Sequence, residues 1–321
     1  MRVLLRLLGF LGAHRWQVAL AVVLGVVMMA SNLGLLSVAA YLIAASALQY
    51  GLSQLTLSMF LVQIFGISRA AFRYLERLVS HNVTFKLLAS LRTWLYGRLE
   101  PLYPARLLEH RTGDLLSRIV KDVEELENIY LRAFSPVIVA VAISALTFVV
   151  LYVFDPLLAF VTLGFLALSG VGVPLLVSVL ARRVGRRELE LRAELNVQIV
   201  DGIQGVQDLL ALNQASGQQR KIQDLGRKLG RVQKRMASIT GLQNTLNDLT
   251  MNLAMLTILF LAIPLVNEGR IPGVYLAFLA LLVLGSFEAV QPLGTAFQFL
   301  GRSLHAGERL FEVSDAKPQI T

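Results

Sequence analysis

The chain has 321 residues, 55% hydrophobic and only 16% charged, with a mean hydropathy of +0.64. An ordinary soluble domain is about 25% charged, so this balance excludes a soluble enzyme. The net charge of +9, with its basic residues in blocks, suits a membrane surface, and the absence of cysteine excludes disulfides, thiolate metal sites, iron–sulfur clusters and covalently attached c-type haem.

From the N-terminus, Val3 to Gly12 reads as a short basic amphipathic helix on the membrane surface. The apolar run that follows continues to Leu48, too long for a signal-peptide core of about 7 to 15 residues, and is read as a retained span. With about 20 apolar residues per crossing, candidate spans fall at Trp16 to Leu48, Leu55 to Arg73, Ala133 to Phe154, Leu157 to Leu180, Leu246 to Val266 and Val274 to Gly294. The connections at Gln49 to Gln54 and Asp155 to Pro156 carry no Lys or Arg, and Asn267 to Gly273 carries only Arg270. The remaining basic residues lie on the opposite side or in its half of the membrane, and the positive-inside rule makes that side cytoplasmic, together with both termini.

The two cytoplasmic connections, from Arg73 to Arg132 and from Ala181 to Thr245, are too long and too periodic for loops. Leu78, Phe85, Leu88, Leu91 and Leu95 recur at helical spacing, and Ile119 to Leu131 does the same. Arg182 to Leu212 and Arg220 to Leu242 are predicted as two further polar helices, with a break at Ser216 and Gly217. Breaks are also expected at Pro101 and Pro104, and at Gly202 and Gly205. Each hairpin tip has room for a short transverse helix.

Four basic residues, Arg69, Arg73, Arg77 and His81, are spaced by four on the second helix. Neighbouring members share a face, while the ladder drifts around the helix over its length. If the span begins near Gln54, Arg69 lies about 22 Å along it, inside the hydrocarbon region. A charge there marks a cavity or a partner; the alternative is an interfacial arginine that snorkels. Neutral imidazole is a common haem ligand, and Arg77, one turn before His81, is placed to pair with a carboxylate. A structural hydrogen-bonding histidine is the other reading of His81.

Glu288 in the sixth span and Asn247, Asp248 and Asn252 in the fifth are polar groups that face the bundle interior or a water-filled pathway. Glu288 is expected to pair with Arg69 or Arg73, with Pro292 a hinge just beyond it. Ser37 and Tyr41 are candidate hydrogen-bonding groups of the same cavity. The acidic residues Asp114, Asp122, Glu124, Glu125 and Glu127 read as a solvated face paired with nearby Arg and Lys. The block Arg182, Arg183, Arg186 and Arg187 fits attraction to anionic lipid heads. It has no aromatic platform beside it, so nucleic acid is not an expected partner. No hydrolytic set of residues occurs, and no G-x-x-x-x-G-K-[ST] phosphate loop.

The run Arg73-Tyr74-Leu75-Glu76-Arg77-Leu78-Val79-Ser80-His81, the segment Gly113-Asp114-Leu115-Leu116-Ser117-Arg118, and Phe287-Glu288-Ala289 with Pro292 and Ala296-Phe297-Gln298 resemble the CydC-type subunit of CydDC transporters, over essentially the whole chain. The resemblance implies an all-α membrane protein with the transmembrane fold of an ABC exporter: residues 1–15 an interfacial helix, 16–311 a six-helix transmembrane domain with long cytoplasmic extensions and two transverse coupling helices, and 312–321 a linker toward an absent ATP-binding domain. Such a subunit would be an ATP-coupled translocase only with that domain and its ATP and magnesium. It would work as one half of a heterodimer with a CydD-type partner in a prokaryotic inner membrane. The implied function is export of small thiols, cysteine or glutathione, in support of cytochrome bd assembly. The resemblance also implies haem b at His81, the axial ligand to its iron, with Arg77 as propionate partner.

In such a fold Leu107, Leu108 and Glu109 at the first tip, and Ile203, Val206 and Leu209 at the second, would meet the ATP-binding domains. Arg69, Arg73, Glu288, Asp248, Asn252 and Tyr41 would line the substrate cavity. Two other readings stay open: a haem transporter or non-transporting haem-binding assembly or sensor subunit, and a generic lipid or drug exporter half.

Overall fold

A computed structural model describes residues 14–100, 122–128 and 133–315, together with Arg6, Gly9 and Gly12. Among the described residues the regular structure is helical. The elements are α1 (Arg15–Ala47), α2 (Leu52–Leu99), α3 (Val123–Asn128), α4 (Ser135–Phe154), α5 (Pro156–Ala167), α6 (Val173–Gln204), α7 (Val206–Ala211), α8 (Ala215–Asn267), α9 (Tyr275–Val290) and α10 (Leu293–Ser314). A π-helical turn, Leu168–Gly172, joins α5 to α6. Six stretches are long and apolar enough to cross a membrane. The protein is therefore a multi-pass membrane protein.

The helix lengths follow from the sequence. At about 1.5 Å per residue, the 48 residues of α2 and the 53 of α8 extend far past a hydrocarbon core of about 30 Å. Their apolar segments span, and their charged segments continue as helix beyond it. At the C-terminal end of α4, Asp155 takes extended backbone and accepts a 2.8 Å bond from the Leu157 amide, capping α5 just ahead of Pro156. The same carboxylate accepts a 3.1 Å bond from Arg270, tying this turn to the one before α9.

The chain divides into two units, residues 1–171 with 250–321, and residues 172–249. Within the first, α1 and α2 run antiparallel, and their contacts fix one register throughout. A Cβ built on Gly34 would lie 2.8 Å from the Phe65 ring, and one on Gly25 would lie 3.8 Å from Glu76 Cγ. At one end of the pair Ala45 packs with Leu55, and at the other Val18 with Val83. Paired residue numbers thus sum to about 100. The α1–α9 pair has its own register: a Cβ on Gly285 would lie 3.1 Å from Leu33 and Leu36, and the Tyr41 and Tyr275 rings are 5.2 Å apart.

The main core of this unit lies between α1, α4, α5, α9 and the C-terminal part of α8, around Ile143, Leu158, Ile258 and Leu279. A second core forms between the C-terminal parts of α2 and α10, from Leu88, Leu91, Leu95, Leu126, Leu310 and Phe311. Arg309 of α10 makes a two-pronged ion pair with Asp122, which is buried, and the Ser303 hydroxyl donates a 2.8 Å bond to the Glu125 carbonyl. The expected solvated face is corrected here: Asp122 points into the joint with α10, because its partner comes from far along the chain. Glu124 keeps the expected role, exposed and 3.7 Å from Arg92. At the same end Arg6 forms a two-pronged pair with Asp315 and lies 4.2 Å over the Phe311 ring.

In the second unit α6 and α8 form an antiparallel hairpin held by Leu191, Leu225 and Leu229. Gln218 donates a 2.8 Å bond to the Gln198 carbonyl beneath its tip. The break in this hairpin is at Leu212 to Gln214, where Asn213 takes a positive φ of 52°, a conformation asparagine tolerates better than most residues. Ser216 and Gly217, expected to mark it, lie in the first turn of α8 instead. The helix before it ends at Gly205, as expected, while Gly202 stays helical. In the first unit the sixth span stops at Val290 and restarts at Leu293, which places the break at Pro292.

Candidate functional site

The ladder on α2 separates along its length, as its drift requires. Arg69 is half-buried, whereas Arg73, Arg77 and His81 are exposed. The α1–α2 register sets Arg69 level with Ser31 and Asn32, near the middle of the first span. Among the described residues, none of Arg69, Arg73 and Arg77 forms an ion pair.

The partner of Glu288 differs from the expectation. Asn32 donates a 2.7 Å hydrogen bond to Glu288 Oε2, and no arginine reaches this carboxylate among the described residues. Asn32 is 3% exposed while Glu288 is exposed. The α1–α9 register explains the choice: position 288 falls beside position 32, so a short amide side chain on the adjoining helix reaches it. Arg69 stands at the same depth, but on a helix that meets α1 through Gly34, on another side. Asn32 was missed from the sequence, where an amide in the middle of an apolar span is the signal that points to it.

The other cavity candidates are dispersed. The Ser37 hydroxyl is buried and spends its donor on the Leu33 carbonyl at 2.6 Å. Tyr41 belongs to an aromatic cluster with Tyr275, Phe154 and Phe278. Asn252 is exposed on α8 in the first unit; Asp248 is exposed and Asn247 buried in the second.

Around His81 the exposed face of α2 has a composition of its own. Tyr74, Leu78 and Phe85 are all exposed at spacings that set them on the same side as His81, and the His81 and Phe85 rings are 6.2 Å apart. Arg77 is exposed one turn before His81. Neither makes a hydrogen bond or ion pair among the described residues. An imidazole without a hydrogen bond in an apolar strip, with a guanidinium one turn away and Glu76 interacting with both, has the donor set that a haem requires: apolar faces for the macrocycle, one nitrogen ligand and a cation for a propionate. The residues present fit the group. No cluster of three metal-ligating side chains occurs among the described residues, and a haem needs none.

At the second tip, Ile203 and Val206 are exposed and Leu209 is turned partly inward. Leu210 and Leu212, not singled out from the sequence, are more exposed than Val206 and enlarge the apolar tip. Leu107, Leu108 and Glu109 lie outside the described residues. Arg186 and Arg187 both pair with Glu190, so the arginine block is partly neutralised within α6.

The chain has six spans whose helices run on past the apolar core, and an apolar tip on the α6–α8 hairpin. The family described as "ABC transporter transmembrane region" matches residues 15–287, and the chain belongs to it. Over its full length the chain is 31% identical to the glutathione/L-cysteine transport system ATP-binding/permease protein CydC of Escherichia coli, and 29% identical to the Haemophilus influenzae protein of the same name. It covers 57% and 56% of these two proteins, so the chain spans about half the length of the curated relatives it matches. A CydD of the same transport system in Bacillus subtilis is 33% identical over 148 residues, 46% of this chain and 26% of that protein. By these likenesses it is a CydC-type transmembrane domain.

Proposed function

We propose that this chain is the membrane-spanning part of one half of an ATP-driven exporter that carries small thiols, cysteine or glutathione, out of the cytoplasm. The observation that carries the reading is similarity over the whole chain to two proteins named for glutathione and L-cysteine transport. The partner is a CydD-type half, and each half is served by an ATP-binding domain that docks on the hairpin tips. Ile203, Val206, Leu210 and Leu212 supply the apolar seat at the described tip. The membrane is the prokaryotic inner membrane, with both termini in the cytoplasm, on the strength of the basic-residue asymmetry of the connections.

Within this reading the arginine ladder attracts the carboxylates of the cargo. Arg69 at mid-depth is the deepest station, and Arg73 lies one turn nearer the cytoplasm. The test is ATP-dependent uptake of labelled cysteine and glutathione into inside-out vesicles holding the whole exporter. Thiol accumulation that needs ATP supports the reading, and its absence refutes it.

Haem is a bound regulator in this proposal, in support of cytochrome bd assembly. The apolar strip on α2 favours it, with His81 as the ligand to iron and Arg77 as the propionate partner. When bound, haem supplies a redox-sensitive iron whose ligation can report cellular oxidation state. The protein's own part is to present one imidazole nitrogen, hold a propionate and cover the macrocycle with Tyr74, Leu78 and Phe85. Titration of the exporter with haemin should saturate near one equivalent per site, with a Soret band lost or shifted in His81→Ala. A nonsaturating or mutation-blind signal refutes it.

A further inference from the structure

An ionised carboxylate in a membrane span needs a cation, a proton or water. Glu288 receives one bond, from Asn32 Nδ2 at 2.7 Å on Oε2. The donor is an amide that is 3% exposed and seated in the α1–α9 contact. A buried donor of this kind fixes where the carboxylate sits. Nothing among the described residues occupies Oε1, and the side chain is exposed. The close approach of Gly285 to Leu33 and Leu36 fixes the helix that carries Glu288 against α1, so this anion is held on a rigid joint. Arg69 stands at the same depth, on α2.

Arg69 lies across α1 from Glu288 and does not neutralise it, so the anchored carboxylate keeps one oxygen open at mid-span. Such a group is an acceptor for a cation that enters the membrane. We infer that Glu288, positioned by Asn32, is the binding site for the ammonium group of the cargo, so that the exporter selects amino-acid and short-peptide thiols over thiols that lack an amine. The inference rests on the thiol-export reading and specifies what part of the cargo is recognised. It differs from a purely structural Asn32–Glu288 bond in requiring that the carboxylate sense the chemistry of the cargo.

The test compares L-cysteine with 3-mercaptopropionate, which keeps the thiol and carboxylate and lacks the ammonium. Uptake is measured into inside-out vesicles containing the whole exporter, with Glu288→Gln and Glu288→Asp beside the unmodified protein. The expected result is a preference for cysteine that falls about tenfold in Glu288→Gln, the change residing in KM, and is partly kept in Glu288→Asp. If Glu288→Gln does not assemble, Asn32→Ala serves instead: it leaves the charge but frees the carboxylate, and should weaken the preference about threefold. Equal transport of both thiols by the unmodified exporter, or equal loss of both in the variants, overturns the inference and leaves thiol export standing. Absence of ATP-driven uptake of either thiol by the unmodified exporter overturns thiol export and this inference with it.

Discussion

Gly34 of α1 sits against the ring of Phe65 so closely that a Cβ at that position would lie 2.8 Å from it. This contact fixes how far α2 slides along α1, and with it the depth of every member of the basic ladder. Gly34→Ala should therefore destabilise the domain although alanine is the better helix former by about 1 kcal/mol. Overpacking at a joint of this kind costs about 1–3 kcal/mol. The check is the melting temperature of the detergent-solubilised exporter, which should fall in Gly34→Ala and fall further in Gly34→Val.

Arg309 and Asp122 clamp the C-terminal part of α10 to α3. Asp122 is buried and Arg309 half-exposed, so the loss is governed by the carboxylate left behind. Arg309→Ala should cost about 1.5–3 kcal/mol. Asp122→Asn with Arg309 intact should cost less, because the exposed guanidinium returns to water. Unfolding followed by loss of Trp94 emission, whose ring packs edge-on against Phe311 in the same core, reads both.

The Arg6–Asp315 pair joins the two ends of the chain on an exposed surface. Its hydrogen bond and charge raise the Arg6 guanidinium above its ordinary value. A basic group with a raised pKa contributes fully below its unfolded value and loses that contribution only as pH rises through the folded one. The Arg6 side of the pair is thus constant from acid to neutral pH. Because both partners are half-exposed, Arg6→Ala should cost no more than about 1 kcal/mol, and high salt should shrink that difference. Melting temperatures at low and high salt check it.

The tip of the α6–α8 hairpin carries Leu210 and Leu212 in the open. Leu210→Asp with Leu212→Asp removes no buried contact, so stability should change by less than about 0.5 kcal/mol. If the tip is the seat for an ATP-binding domain, cargo stimulation of ATP hydrolysis should fall at least about fivefold. Unchanged stimulation would assign the tip no part in coupling.

The number of spans and their continuation into long inner helices were legible because hydropathy and the 3.6-residue period are local properties. Glu288 and Asp122 show where local reading ends. Glu288 was expected to pair with Arg69 or Arg73 and Asp122 with basic residues near it in sequence, yet their partners are Asn32, 256 residues away, and Arg309, 187 residues away. Those choices depend on helix registers set by contacts such as Gly34 with Phe65 and Gly285 with Leu33, which no window of sequence contains. The hairpin break at Asn213 was displaced for a different reason: Ser216 and Gly217 carry turn chemistry, but the first turn of a helix tolerates both. His81 stood out by residue type, whereas its apolar surroundings emerged only once Tyr74, Leu78 and Phe85 were seen exposed together.

The most direct test of the account offers the whole exporter, in inside-out vesicles with ATP, labelled glutathione, labelled cysteine and haem in parallel. The account predicts that both thiols accumulate, that haem does not, and that haem changes the thiol rate in the unmodified protein but not in His81→Ala. ATP-driven accumulation of haem without accumulation of thiol would contradict it.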